Sequence, residues 1–184
     1  DPHMSEYVQD SWKSREYLSG FTGSYGWVAV TQTEAVVWTD SRYYLQAERE
    51  LQGTGFEMLK ARLPETIPTG LWLAQRLQRG QTVGFDGSCY PLAEVRELIP
   101  FLFEQELNVD FKCSLLESLW TDRPQAVRNP IFEHPLEVAG ETRASKLERI
   151  RTKMHDMKAD VHFIAALDEI AWTFNLRGSD VEYN

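Results

Sequence analysis

The chain has few basic residues, few cysteines and no long apolar run. Lys and Arg total 19 against 28 Asp and Glu, which gives a formal net charge of −9. Nucleic acids and anionic membranes attract proteins through clustered cations, so the composition argues against either as the main partner. No stretch approaches the roughly 20 consecutive apolar residues that a membrane span needs.

Cysteine and histidine are both sparse. Cys89 and Cys113 fit neither a disulfide framework nor a Cys-x-x-Cys motif, so we expect two reduced thiols in a cytoplasmic protein. The four histidines lie apart, without a His-Glu-x-x-His motif: His3, His134, His155 and His162. We therefore expect no metal site and no catalytic group in this chain.

Strand-like and helix-like segments alternate along the chain, which predicts an α/β fold with a mixed sheet flanked by helices. Strands are predicted at 27–31, 35–39, 56–63, 82–86 and 107–112. Helices are predicted between them at 42–51, 69–77, 91–103 and 114–120. Prolines indicate a linker at 123–140, followed by a helix from 143 and a buried strand at 159–167.

Three glycines precede the first strand in "YLSGFTGSYG", residues 17–26. A dinucleotide-binding fingerprint needs Gly-x-Gly-x-x-Gly between a strand and a helix, whereas Gly20, Gly23 and Gly26 precede a strand. The Lys and Ser or Thr of a P-loop are absent as well. A tight turn or a close backbone approach explains the glycines better than a phosphate site.

The same region has a second copy in the chain. Residues 17–24 read YLSGFTGS and residues 172–179 read WTFNLRGS, with aromatic, apolar and Gly-Ser positions matching. A match of this kind predicts a structural repeat of domain size. A helix and a strand are predicted before the second copy, but only 16 residues precede the first. We expect the first copy to lack its leading helix and strand.

Several motifs resemble the cytosolic-type Xaa-Pro aminopeptidase (aminopeptidase P) family: DPHMSEY, YLSGFTGSYG, VVWTDSRYYLQAERE, LWTDRP and ALDEIAWTFNLRGSDVEYN. The resemblance implies three domains, two of the creatinase type followed by a pita-bread catalytic domain. On this view residues 1–140 form the creatinase/aminopeptidase N-terminal domain I, without its first helix and strand, together with the linker. Residues 141–184 then form the opening helix, strand and loop of a truncated domain II.

The resemblance also implies a function. The chain would be the non-catalytic N-terminal fragment of an enzyme that hydrolyses the bond between an N-terminal residue and a following proline. Two Mn²⁺ ions would lie in the missing catalytic domain, and the fragment alone would be inactive. Partners would be peptides with proline in second position, the protein's own catalytic domain and a second copy. The alternative is a stand-alone creatinase-like interaction module without peptidase activity.

Two groups of polar residues are candidates for a local role. Asp40, Asp86 and Asp122 each end an apolar run, which favours helix caps or Asx turns over acid–base catalysis. A polar loop at the end of the chain contains Arg177, Asp180, Glu182 and Tyr183. The resemblance makes Arg177, Asp180 and Tyr183 substrate- or interdomain-facing candidates, and a salt bridge at a domain interface stays equally open.

A sheet without its first strand exposes unpaired backbone groups. Residues 143–167 carry an equivalent helix and strand, with Val161, Phe163 and Ala165 at alternate positions. We expect this segment to dock onto the sheet of domain I, within one chain or in a strand-swapped dimer.

Overall fold

The computed structural model describes residues 1–2 and 5–181. The chain divides into two compact units, unit 1 (Asp1–Gln125) and unit 2 (Ala126–Asn184). Strands and helices alternate in unit 1, which confirms the α/β class with a mixed sheet flanked by helices.

Unit 1 contains two partial sheets. Its strands are β1 (Trp27–Val30), β2 (Ala35–Thr39), β3 (Phe56–Lys60), β4 (Thr82–Gly84) and β5 (Asn108–Asp110). The first sheet has the order β1-β2-β3, in which β1 is antiparallel and β3 parallel to β2. In the second sheet, β4 pairs with β5 in parallel. All five predicted strands are therefore confirmed, with shorter bounds for some.

Helices cover both faces of the first sheet, because β2 is apolar on both sides. The helices of unit 1 are α1 (Ser14–Ser19), α2 (Tyr44–Glu50), α3 (Thr69–Ala74), α4 (Leu92–Glu104) and α5 (Leu115–Leu119). Successive strand residues point to opposite faces. Val36 and Trp38 accordingly join a core with Trp72 of α3 and Leu102 of α4. Val37 joins a second core that includes Ala47 of α2.

Unit 2 is smaller and is held together by a two-stranded ribbon and a pair of helices. Its elements are β6 (Phe132–Glu133), α6 (Leu136–Ala139), α7 (Arg143–Asp156), α8 (Leu167–Phe174) and β7 (Leu176–Arg177). β6 pairs antiparallel with β7, and the His134 amide donates to the carbonyl of Asn175 at 2.7 Å. These bonds place residues 126–140, most of the predicted linker, within unit 2.

The buried strand predicted at 159–167 is wrong. Residues 161–166 belong to no strand, and the side chains of Val161 and Phe163 are 81% and 85% exposed. A strand needs a neighbour to accept and donate its backbone hydrogen bonds. Among the residues described, β6 and β7 pair with each other, and no strand pairs with 161–166. The expected docking of this segment onto the sheet of unit 1 within one chain is therefore also wrong.

Candidate functional site

The glycine loop after α1 is occupied by an arginine of its own unit. The Arg15 guanidinium donates to the carbonyl of Gly26 at 2.8 Å and also to the carbonyl of Gly23. A phosphate would need amide donors at this place, whereas the loop presents carbonyl oxygens to a cation. The loop is therefore not a phosphate site, as the sequence predicts.

The end of α8 repeats the end of α1. Gly20 ends α1 in the left-handed region at φ 75°, and its amide donates to the Glu16 carbonyl. Asn175 ends α8 in the same region at φ 51°, and its amide donates to the Ala171 carbonyl. Both pairs of residues are 155 positions apart, so the repeat seen in the sequence is a repeat of local structure.

The site candidates Arg177 and Asp180 lie in the loop that follows this helix end. Arg177 is half-buried on β7, and its guanidinium donates to the carbonyl of Leu176 at 2.7 Å. The Asp180 carboxylate accepts from the Asn129 amide at 2.7 Å. Asp180 thus ties the start of unit 2 to its last described residues. Tyr183 and Glu182 lie outside the described residues.

A buried lysine is the group that sequence reasoning missed. Lys146 of α7 is 3% exposed, and its ammonium donates to the Trp172 carbonyl at 2.8 Å and to the Asn175 side-chain oxygen at 2.7 Å. The ammonium also lies 4.4 Å from the centre of the Trp172 ring. The Asn175 side-chain amide in turn donates to the Glu141 carbonyl at 2.9 Å. This network holds the C-terminal end of α8 against α7.

The aspartates that follow apolar runs form turns. Asp40 is 5% exposed, and its carboxylate accepts from both the amide and the guanidinium of Arg42, the latter at 3.0 Å. Hydrogen bonds from the Arg42 side chain lower the pKa of the Asp40 carboxyl, although burial opposes the shift. Asp86 accepts from the Ser88 amide at 3.0 Å, and Asp122 is exposed. The predicted role is confirmed as an Asx turn for Asp40 and as a helix cap for Asp86.

Arg42 and a second arginine extend the Asp40 turn into a cationic and aromatic surface. The guanidinium carbons of Arg42 and Arg62 lie 5.7 Å and 4.3 Å from the centre of the Tyr25 ring. Arg42 also pairs with Glu6 at 3.2 Å, so the charge of this surface is largely balanced by carboxylates. These contacts give Arg42, Arg62 and Tyr25 a structural role on the surface of unit 1.

Each unit contains a cavity. A groove of about 680 Å³ in unit 1 is bordered by the N-terminal residues, β1 and the end of β4. A cleft of about 550 Å³ in unit 2 lies beside α8 and is bordered by Ile164, Asp168 and Trp172. Throughout residues 1–2 and 5–181, no three His, Cys, Asp or Glu side chains cluster closely enough to hold a metal ion. Metal ions of the kind that the resemblance implies therefore have no fitting ligands among these residues.

Two regions of the chain match the same protein family. The creatinase/prolidase N-terminal domain matches residues 7–111 and again residues 122–184. The chain belongs to the creatinase/prolidase N-terminal domain family. The two matched regions fall largely in unit 1 and unit 2, in agreement with the repeated helix end. Within the described part of this creatinase-type chain, none of the helices has the length and apolar character needed to cross a membrane.

Relatives of the chain are similar over all of its length. It is 35% identical over 185 residues to an Xaa-Pro aminopeptidase of Caenorhabditis elegans. It is 36% identical over 186 residues to Xaa-Pro aminopeptidase ApepP of Drosophila melanogaster, and 36% identical over 184 residues to aminopeptidase P1 of Arabidopsis thaliana. In each case all of the chain is covered, but only 28–30% of the relative's length.

A solved structure has the same fold. The chain superposes on X-prolyl aminopeptidase from Caenorhabditis elegans, described as a cytosolic enzyme with a di-nuclear active site, with a TM-score of 0.86 and 34% identity. The match covers 100% of this chain and 30% of that one. The expected resemblance to the Xaa-Pro aminopeptidases is confirmed.

Proposed function

We propose that this chain is the non-catalytic N-terminal part of a metal-dependent Xaa-Pro aminopeptidase. The observation that carries the proposal is that all of this chain matches about 30% of the length of an enzyme with that name. It also matches 30% of the chain in a solved structure of such an enzyme. The intact enzyme would hydrolyse the bond between an N-terminal residue and a following proline. Its two Mn²⁺ ions would be bound in a catalytic domain beyond these residues.

Within that enzyme, residues 1–140 would form domain I with its linker, and residues 141–184 would belong to domain II. The parent is proposed to be cytoplasmic, in keeping with the free thiols of Cys89 and Cys113 and with the cytosolic relative. The role of this part would be to shape access to the catalytic cleft for short peptides and to assist assembly. Arg177, Asp180 and Tyr183 are the proposed substrate- or interdomain-facing residues.

Cleavage of an Arg-Pro-Pro peptide tests the proposal. The full-length parent with Mn²⁺ is expected to release the N-terminal arginine, and the 184-residue chain is expected to release none with or without Mn²⁺. Turnover by the isolated chain would contradict the proposal. An inactive parent whose remaining sequence lacks Asp, His and Glu ligands would instead support an interaction module.

The role of the loop is tested in the same parent by Arg177→Gln. A substrate-facing role predicts a higher KM at an unchanged thermal midpoint. A lower midpoint with unchanged KM would assign Arg177 to the structure of the domain interface.

A further inference from the structure

Asn129 continues the ribbon of unit 2 beyond the last backbone pair of its strands. β6 and β7 are antiparallel, with Phe132 opposite Arg177. The same register, followed outward, places Asn129 opposite Asp180. There the backbone amide of Asn129 donates to the Asp180 carboxylate at 2.7 Å, and its side-chain nitrogen donates to the Ser179 hydroxyl at 3.0 Å. One residue therefore holds two consecutive residues of the loop that follows Arg177.

The sequence next to Asn129 explains why a side chain takes over from the backbone ladder. Pro130 lies between Asn129 and β6, and proline has no amide hydrogen to donate to an opposite strand. Ile131 and Phe132 are 70% and 50% exposed, so apolar packing adds little at this end of the ribbon. The orientation of the loop at 178–180 then depends on the hydrogen bonds from Asn129.

Unit 1 holds its corresponding loop in a similar way. Ser24 and Ser179 occupy the same place in the two repeats, each directly after a glycine. The Ser24 hydroxyl donates to the Glu6 carboxylate at 2.9 Å, and Glu6 belongs to the segment before α1. Asn129 likewise belongs to the segment that precedes the helices of unit 2. In both units, a polar side chain from an upstream segment therefore fastens the Gly-Ser loop.

Arg177 lies between two fixed points of the backbone. On one side it is paired with β6, and on the other side only Gly178 separates it from the two residues that Asn129 holds. The backbone on both sides sets the direction in which the Arg177 side chain leaves the chain. A small displacement of a group that binds substrate weakens binding, so the residues that support such a group affect function.

We propose that Asn129 is a positioning residue that orients Arg177 for binding of the peptide substrate. The inference rests on the proposed function, in which Arg177 faces the substrate. Asn129 itself does not touch the substrate and acts through the loop at 178–180. Its hydrogen bonds are exposed to water, so their loss affects the orientation of the loop more than the stability of the fold.

Steady-state kinetics of the full-length parent with Mn²⁺ and an Arg-Pro-Pro peptide test this role. Asn129→Ala removes the side-chain bond to Ser179 and is expected to raise KM about three- to tenfold, with kcat within about twofold of the wild type. Its thermal midpoint is expected to stay within about 2 °C of the wild type. Asn108→Ala is the matched control, because the exposed Asn108 side chain donates to the Gly80 carbonyl at 2.8 Å in unit 1. The control is expected to leave KM unchanged.

A double variant shows whether Asn129 acts through Arg177. If it does, Asn129→Ala should raise KM by less than about twofold once Arg177→Gln is present. Effects of the two substitutions that multiply independently would overturn the inference, as would an Arg177→Gln variant with unchanged KM. A lower thermal midpoint of Asn129→Ala together with a raised KM would assign Asn129 a structural role instead.

The same measurements separate this inference from the proposed function. A wild-type parent without peptidase activity would overturn the proposed function and the inference with it. An active parent whose KM is unaffected by Asn129→Ala would overturn the inference alone.

Discussion

Asp40 combines near-complete burial with a charged partner at the surface. Its pKa is lowered chiefly by hydrogen bonds from the Arg42 side chain. A carboxylate with a lowered folded-state pKa contributes stability above its unfolded pKa of about 3.9. That contribution is lost as the pH falls through the folded-state pKa.

Replacing this carboxylate should therefore cost stability in a pH-dependent way. We expect Asp40→Asn to lower the free energy of unfolding at pH 7 by about 1 to 3 kcal/mol, since hydrogen bonds to a charged group are lost. The difference in the free energy of unfolding between Asp40→Asn and the wild type should become smaller as the pH is lowered below about 4. Urea unfolding at several pH values measures both effects. Asp122→Asn, in the other Trp-Thr-Asp sequence, is the exposed control, and an equal loss there would contradict the expectation.

The glycines of the loop differ in the space that they leave for a side chain. A Cβ at Gly26 (φ 151°) would lie 2.4 Å from the Trp38 carbonyl oxygen, whereas a Cβ at Gly20 (φ 75°) meets nothing within 4 Å. We expect Gly26→Ala to cost more than about 2 kcal/mol and Gly20→Ala about 1 kcal/mol, since only the first adds a backbone clash to the strain.

Gly20→Asn should be milder still, because asparagine is tolerated in the left-handed region and Asn175 occupies the equivalent place. Chemical denaturation of the three variants gives the order of stability. If the Gly26→Ala variant were as stable as the Gly20→Ala variant, the close approach of the loop to β2 would be refuted.

At the scale of elements, the packing of α7 against α8 depends on a cation. Lys146 supplies two hydrogen bonds to the end of α8 from a buried position. Lys146→Met keeps the apolar stem but leaves the Trp172 carbonyl and the Asn175 side chain without this donor. We expect a loss of about 2 kcal/mol, the cost of leaving buried acceptors unsatisfied.

The loss should appear as faster hydrogen exchange across α7 and α8. Lys153→Met in the same helix removes an exposed lysine and is expected to change little. Similar exchange rates in both variants would mean that the Lys146 network contributes no stability to the helix pair.

At the scale of the whole molecule, the boundary between the units should be accessible to proteases. Residues 123–131 form no helix or strand, and Arg128 is exposed. Trypsin is expected to cut first after Arg128, because the Arg123 side chain donates to the Ser11 carbonyl at 2.6 Å and a proline follows it. Mass spectrometry should detect fragment 1–128, and Arg128→Gln should remove it. Earlier cleavage inside unit 1 would contradict the division of the chain.

The sequence by itself determined the features that depend on neighbouring residues. The apolar run at 35–39 predicts a strand, which β2 confirms, and its residues Val36, Val37 and Trp38 are almost fully buried. The repeated motif predicts a structural repeat, and the structure adds that Gly20 and Asn175 end their helices in the same left-handed conformation. Backbone conformation and side-chain periodicity are local properties, so a pattern of a few residues carries them.

Only the tertiary structure decided the features that depend on distant partners. The segment 161–166 has the composition of a strand, but no strand in the described part of the chain pairs with it. Lys146 is buried because the Trp172 carbonyl and the Asn175 side-chain oxygen accept hydrogen bonds from its ammonium. The groove between β1 and β4 likewise arises from two sheets that meet over one core. Strand pairing and the burial of a charge are stable only when remote groups supply the missing hydrogen bonds, and no local pattern records where those groups lie.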